Sequence, residues 1–293
     1  MFARALNLLR HDWFSALCLL IVVVVILAGI FAPWIAPNDP IETAIRHRYQ
    51  GVSAAFPFGT DHLGRCVFSR VLFGIRTTVF YAIAAMAMTL ILGCLVGLVA
   101  GMSGGKIDEF LMRLCDVLLS FPAEVMILAL VGVLGPGIGN ILLAIVVVKW
   151  AWYARMVRGA VLQYTQTNYV RYAQVIGAPA SHILRRHLLP MTAAEIALLA
   201  TTDVGAVILM ISALSFLGLG VQPPTPEWGN MLNEAKNVMV LHPELMLPAG
   251  LAIVLVVVAF NGVGDFVRDL LDTSKRRHQS GMTPSDDSRG MLS

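Results

Sequence analysis

Long uncharged runs separated by short charged stretches dominate the chain. A helix crossing the roughly 30 Å hydrocarbon core of a bilayer needs about 20 predominantly apolar residues. Six segments meet or approach that requirement: residues 14–35, a stretch inside the uncharged run 77–105, and residues 122–134, 138–153, 193–214 and 245–263. The third ends at Gly135-Pro136-Gly137, a tight-turn signal. The fourth is interrupted only by Lys149, and the fifth contains Asp203. The pattern predicts an all-α integral membrane protein with six transmembrane helices. An even number of crossings places both termini on one side.

Composition supports lipid as the solvent. The 293 residues are 57% hydrophobic and 13% charged, against about 25% charged in a typical soluble domain. That imbalance excludes a disordered chain, a nucleic-acid module and most soluble enzymes. The N-terminal apolar run exceeds the 7–15 residues of a signal-peptide core, so it is expected to remain as the first transmembrane helix. The net charge of +3 is uninformative; the placement of charge carries more. With the N-terminus in the cytoplasm, fourteen Lys and Arg fall on inner segments and six on outer ones, the bias expected of cytoplasmic loops. Five arginines before the second span (Arg46, Arg48, Arg65, Arg70 and Arg76) count against this orientation. The tail after Asp272 is rich in Ser, Asp, Arg and Gly and is expected to be disordered.

Catalytic signatures are absent. Gly104-Gly105-Lys106 fails as a phosphate-binding loop because Ala100 and Ile107 stand where Gly and Ser or Thr are needed. Cys18, Cys66, Cys94 and Cys115 form no metal-ligand spacing and are expected to be free thiols. No metal-ligand set is assigned, and no cofactor is expected in this chain. Gly93, Gly97 and Gly101 make two overlapping G-x-x-x-G steps on one helix face, which admits a neighbouring backbone. Two acids fall at membrane depth, where a carboxylate faces a cavity or a partner. Asp203 either lines a substrate path or makes an interhelical hydrogen bond. Glu124 is either interfacial or part of the same path.

The segment 169–190 reads YVRYAQVIGAPASHILRRHLLP. It resembles the cytoplasmic signature loop of ABC importer permeases, whose pattern is E-A-A, three residues, Gly, nine residues, then I-x-L-P. Ala173, Gly177, Leu189 and Pro190 keep the pattern and its spacing; Arg171, Tyr172 and His187 depart from it. A helix, a turn at Gly177-Ala178-Pro179 and a second helix would form a protruding elbow. The alternative for such a basic segment is a helix lying on anionic lipid.

Further stretches narrow the resemblance. Residues 58–65 (FGTDHLGR) are similar to the F-G-T-D-x-x-G-R-D segment of peptide and nickel permeases, with Cys66 replacing the aspartate. Residues 215–220 (SFLGLG) match the end of their fifth span, and Glu227-Trp228-Gly229 continues that match. Phe260-Asn261, Gly264-Asp265, Arg268-Asp269 and Leu271-Asp272 match their C-terminal motif. The chain is thereby identified as a member of the dipeptide, oligopeptide and nickel importer permeases, as the second, C-type subunit. Residues 150–158 (WAWYARMVR) and Asp203 look most like the nickel type, and Ile211 stands where peptide types often carry a glutamate.

The resemblance implies a type I ABC importer permease fold with a cytoplasmic coupling helix. Residues 1–75 would hold the first helix and outer loop, 76–265 the transmembrane domain and 266–293 the cytoplasmic tail. Tyr169, Arg171, Ala173, Gly177, Ala178, Leu189 and Pro190 would form the loop that meets the ATPase. Implied partners are a homologous permease in a heterodimer, two ABC ATPases that bind ATP and Mg, an extracytoplasmic substrate-binding protein and membrane lipid. Nucleic acid is not among them. The implied location is a bacterial inner membrane, with nickel, free or chelated, as cargo and dipeptides or oligopeptides as the alternative. An ion-coupled secondary transporter using Asp203 and Glu124 would explain the acids but leave the spaced loop without a role.

Overall fold

The computed structural model describes residues 12–271, which are helical apart from loops and one isolated bridge, Thr60 to Cys66. Arg4, Arg10 and the expected disordered tail lie outside the described residues. Helix α1 is Trp13–Ile35, started by Asp12, whose side chain accepts from the Phe14 and Ser15 N–H groups. Helix α2 is Val67–Ser103 and passes through a π-helical turn at Arg76–Phe80. Helices α3 (Gly105–Leu119) and α4 (Ala123–Leu134) follow, then α5 (Ile138–Thr165) and α6 (Asn168–Val175). Helix α7 (Ala180–Ile183) continues through a π-helical turn, Leu184–Leu188, into α8 (Leu189–Phe216). Helices α9 (Trp228–Lys236) and α10 (Leu247–Leu271) complete the described chain.

Five of these elements are long and apolar enough to cross a bilayer, and counting the bent pair α3 and α4 as one span brings the number to six. The third span therefore differs from the sequence reading. Helix α4 alone has 12 residues, about 18 Å at 1.5 Å per residue, too short for the hydrocarbon core. It passes the length and apolarity criteria only together with α3, from which it is bent by 83°, the geometry of a broken span or a re-entrant loop. The fourth span runs twelve residues beyond Tyr153, to Thr165. Arg155 and Arg158 lie on its extension, where they pair with Asp116 and Asp108 of α3. The second span begins at Val67, ahead of the charged Arg70 and Arg76.

The most extensive interface joins α2 to α5. A Cβ on Gly93 would lie 2.5 Å from the Tyr153 Cβ, and one on Gly101 would lie 2.7 Å from Val161 Cγ1. At Gly97 the obstacle is backbone: a Cβ would sit 2.5 Å from the Ala154 carbonyl oxygen and 2.8 Å from the Val157 Cβ. Gly97→Leu should therefore force the two helices apart and cost about 1–3 kcal/mol or more. A lowered thermal unfolding midpoint in detergent, with reduced accumulation in the membrane, is the expected result.

Helices α2 and α5 run parallel, whereas α8 and α10 run antiparallel, as shown by the Gly205–Asn261 and Gly264–Thr202 approaches. Gly262 meets Cys18 of α1. These directions place Asp12, the α2–α3 junction, α6, α7 and Leu271 at one end of the bundle. Loop 36–66, the α4–α5 turn and α9 form the other. Much of α1 is exposed: only 22% of its most apolar 18-residue window is buried. An apolar helix left uncovered in this way is solvated by lipid or by another membrane subunit.

Candidate functional site

At the α6 end, the elbow has one face packed on the bundle and one face free. Val170, Ala173, Ile183 and Leu188 are buried in a cluster with Leu98 of α2 and with Val157 and Val161 of α5. The opposite face exposes Tyr172, Val175 and Ile176, the last two at 84% and 64%. Gly177 turns the chain between α6 and α7 at φ +79, and no atom lies within 4 Å of the position of its absent Cβ. The turn closes through hydrogen bonds from Ile176 N to Tyr172 O and from Ala178 N to Ala173 O, each 3.0 Å. Arg171 is exposed and donates to the Gln166 side chain. Ala178 and Leu189 are partly accessible and open, respectively, while Tyr169 and Pro190 lie in α6 and the first turn of α8. The result is an apolar knob held on a base packed against α2 and α5 and continuous with α8.

Inside the bundle, α5 and α8 are bridged by charge. Asp203 Oδ2 lies 3.4 Å from Lys149 Nζ and accepts from the Tyr153 hydroxyl. Both partners come from α5, one helical turn apart, so Asp203 makes an interhelical contact of the kind the sequence left open. Lys149 also lines a cavity of about 430 Å³ whose wall includes Glu124, Ala206, Met210, Ala213 and Leu217. Glu124 is exposed at the start of α4. The cavity wall is thus apolar except for one carboxylate and one ammonium group. Sequence reasoning noted Lys149 only as an interruption and missed Tyr153. The available signal was a lone lysine and a lone aspartate in two adjacent apolar runs. Lys149→Met should leave the Asp203 carboxylate with one hydroxyl donor and cost about 1–3 kcal/mol. Thermal unfolding of the variant and of a Lys149→Met, Asp203→Asn double variant checks this, with stability recovering in the double.

The α9 end is closed by a second polar cluster. Arg65 and Arg70 are each 1% exposed. Arg65 Nε lies 2.6 Å from Asp61 Oδ2, and Glu234 Oε2 accepts from Arg65 at 2.9 Å and Arg70 at 3.0 Å. Asp61 Oδ1 is held by the Leu63 and Arg65 N–H groups. The turn that makes this possible needs Gly64: its φ is +77, and a Cβ there would collide with the Ala44 carbonyl. Two of the five arginines that counted against the orientation are thereby buried and paired. Next to this cluster, Glu227 is fully buried and caps α9, accepting from Asn230 N at 2.8 Å and Thr78 Oγ1 at 3.1 Å. Burial pushes its carboxyl pKa up, while the Gly229 and Asn230 N–H groups pull it back. Trp228 packs on Gly74 and donates to the Val71 carbonyl at 3.0 Å. The motif 227–229 therefore starts, on α2, the same helix α9 whose Glu234 the motif 58–65 reaches through Arg65.

Comparison with known proteins agrees with this architecture. Residues 93–277 match the model of the binding-protein-dependent transport system inner membrane component. Residues 1–51 match that of the N-terminal transmembrane domain of oligopeptide transport permease C. The chain is similar to the metal-staphylopine import system permease protein CntC of Staphylococcus aureus, at 39% identity over 91% of this chain and 92% of the relative. It is similar to the nickel transport system permease protein NikC of Escherichia coli, at 38% over 90% and 95%. It is also similar to the glutathione transport system permease protein GsiD of Escherichia coli, at 42% over 90% and 87%. By this coverage, and by the elbow, the bundle and the motifs that carry them, the chain belongs to the inner-membrane permeases of the peptide and nickel family of ABC importers.

Proposed function

We propose that this permease carries nickel, free or chelated, and couples its movement to partner ATPases through the elbow at 169–190. The observation that carries the coupling is the knob itself. An apolar face of Tyr172, Val175 and Ile176 stands free in solvent while its base is buried against α2 and α5. An exposed patch of that kind is an interaction surface, and a rigid base transmits force applied to it. Closure of two ATPases would push the elbow, and with it α5 and α8, whose inner parts line the cavity bearing Glu124 and Lys149. Alternating access by rocking of one half against another follows from such a lever.

The pathway would form between this chain and a homologous permease, with an extracytoplasmic binding protein delivering cargo to the α9 end. Both described ends of the chain lie with the elbow, which supports cytoplasmic N- and C-termini. The pairing of Arg65 and Arg70 with acids removes two of the five charges that opposed this orientation. Nickel is supported by the 150–158 motif, by Asp203 and by the metal importers among the relatives. A second reading, peptides, is favoured by the glutathione relative and by opposite charges in one cavity, which suit the two ends of a zwitterion.

Reconstitution of the complete importer in proteoliposomes tests both levels. ATP-dependent uptake of nickel, alone or with a chelator, is the expected result. ATP-dependent uptake of dipeptides without nickel would overturn the cargo and keep the coupling. Uptake that persists without ATP and follows an ion gradient would overturn the coupling and favour a secondary transporter.

A further inference from the structure

Among the described residues, Asp61, His62 and Glu234 each offer one ligand atom, and these three atoms lie within 4.8 Å of one another. They come from two distant parts of the chain, the 58–65 turn and α9. We propose that they form an exchangeable site for a borderline divalent cation, such as Ni²⁺, Co²⁺ or Zn²⁺, at the α9 end.

Four observations support the site. Among the described residues, His62 is partly exposed and makes no hydrogen bond or ion pair, although residues on either side of it are tightly held. Glu234 uses only Oε2 for the two guanidinium groups, which leaves Oε1 available. Asp61 is oriented by backbone donors on Oδ1, the role that second-layer hydrogen bonds play around metal ligands. A void of about 20 Å³ adjoins Asp61, His62 and Glu234, enough for one ion or water. One imidazole nitrogen and two carboxylate oxygens suit first-row metals better than Ca²⁺ or Mg²⁺. Bonds of about 2.0–2.2 Å need these donors to close in by modest side-chain rotation.

The charges facing the site set its strength. Arg65 and Arg70 balance Asp61 and Glu234, so the cluster is neutral before a cation arrives. Asp61 Oδ2 and Glu234 Oε2 are already committed to guanidinium groups. Binding is therefore weak and rapidly reversible, the behaviour of an exchangeable site rather than of a structural one. Remaining positions would be filled by water or by a chelator travelling with the metal. The site stands independently of which cargo the importer carries.

Titration of the purified importer, freed of any histidine tag, with Co²⁺ as a spectroscopic probe tests this directly. The expected result is a saturable sub-millimolar d–d absorption that Ni²⁺ and Zn²⁺ displace. His62→Asn should weaken it at least tenfold with little change in thermal stability, since His62 makes no hydrogen bond or ion pair among the described residues. His62→Cys, which restores a ligand, should recover binding with an added thiolate band. Absence of sub-millimolar binding would overturn the proposal, as would equal binding by wild type and His62→Asn. Neither readout depends on uptake, so a failure here is separate from a failure of the cargo assignment.

Discussion

Gly177→Val is expected to reduce ATP-driven uptake at least tenfold while the subunit remains in the membrane at its normal level. The reason is local backbone geometry. Gly177 sits at φ +79, where an L-residue pays about 1–2 kcal/mol and a β-branched one more. About 1.4 kcal/mol already shifts a conformational equilibrium tenfold. No atom lies within 4 Å of the added Cβ, so the cost is not a clash and the bundle has no cause to unfold. The turn relaxes instead, and the knob at Tyr172, Val175 and Ile176 loses its position relative to its base. Gly177→Asn is the informative control, because asparagine tolerates the left-handed region, and it should retain most of the uptake. Uptake in proteoliposomes, with membrane levels measured in parallel, distinguishes these outcomes. Wild-type uptake by Gly177→Val would remove this turn from the coupling mechanism.

Glu234→Gln should destabilise the protein by about 3–5 kcal/mol, the cost of leaving a buried charge without its partner. Arg65 and Arg70 are each 1% exposed and share Glu234 Oε2. With that carboxylate neutralised, only Asp61 faces two guanidinium groups, at 2.6 Å from Arg65 and 3.7 Å from Arg70. Two like charges are then held together away from water. The variant should unfold well below wild type in a detergent melt. Removing one guanidinium at the same time, as Arg70→Met, should restore part of the loss. A Glu234→Gln midpoint within a degree of wild type would show that the cluster is more hydrated than its burial indicates.

Much of the membrane architecture was legible because its cause is local in the chain. Apolar runs long enough for a bilayer must become helices there, since lipid offers no partner for free backbone groups. The same logic failed at the third span, where 122–134 is apolar but short. Only α3 adds length there, an amphipathic helix bent by 83° from α4, two of whose acids, Asp108 and Asp116, pair with Arg158 and Arg155. A window that counts charge as an end to membrane depth cannot see that pairing. It stops the fourth span at Tyr153 and starts the second after Arg76 for the same reason. The candidate sites divide similarly. The elbow's spacing stands in one segment, whereas the links from Lys149 and Tyr153 to Asp203, and from Arg65 and Arg70 to Glu234, join residues 50 to 169 positions apart.

By itself, the sequence determined that lipid is the solvent, that the chain crosses it as helices, and that 169–190 carries the elbow. Hydropathy, turn residues and motif spacing are all properties of contiguous residues. Tertiary structure alone decided which charges are free and which are spent. It buried two arginines that sequence counting had left facing water, and it tied Asp203 to α5. It also set His62 beside Glu234, across 172 positions of chain. Such pairings depend on which helix faces which, and that follows from packing of the whole bundle.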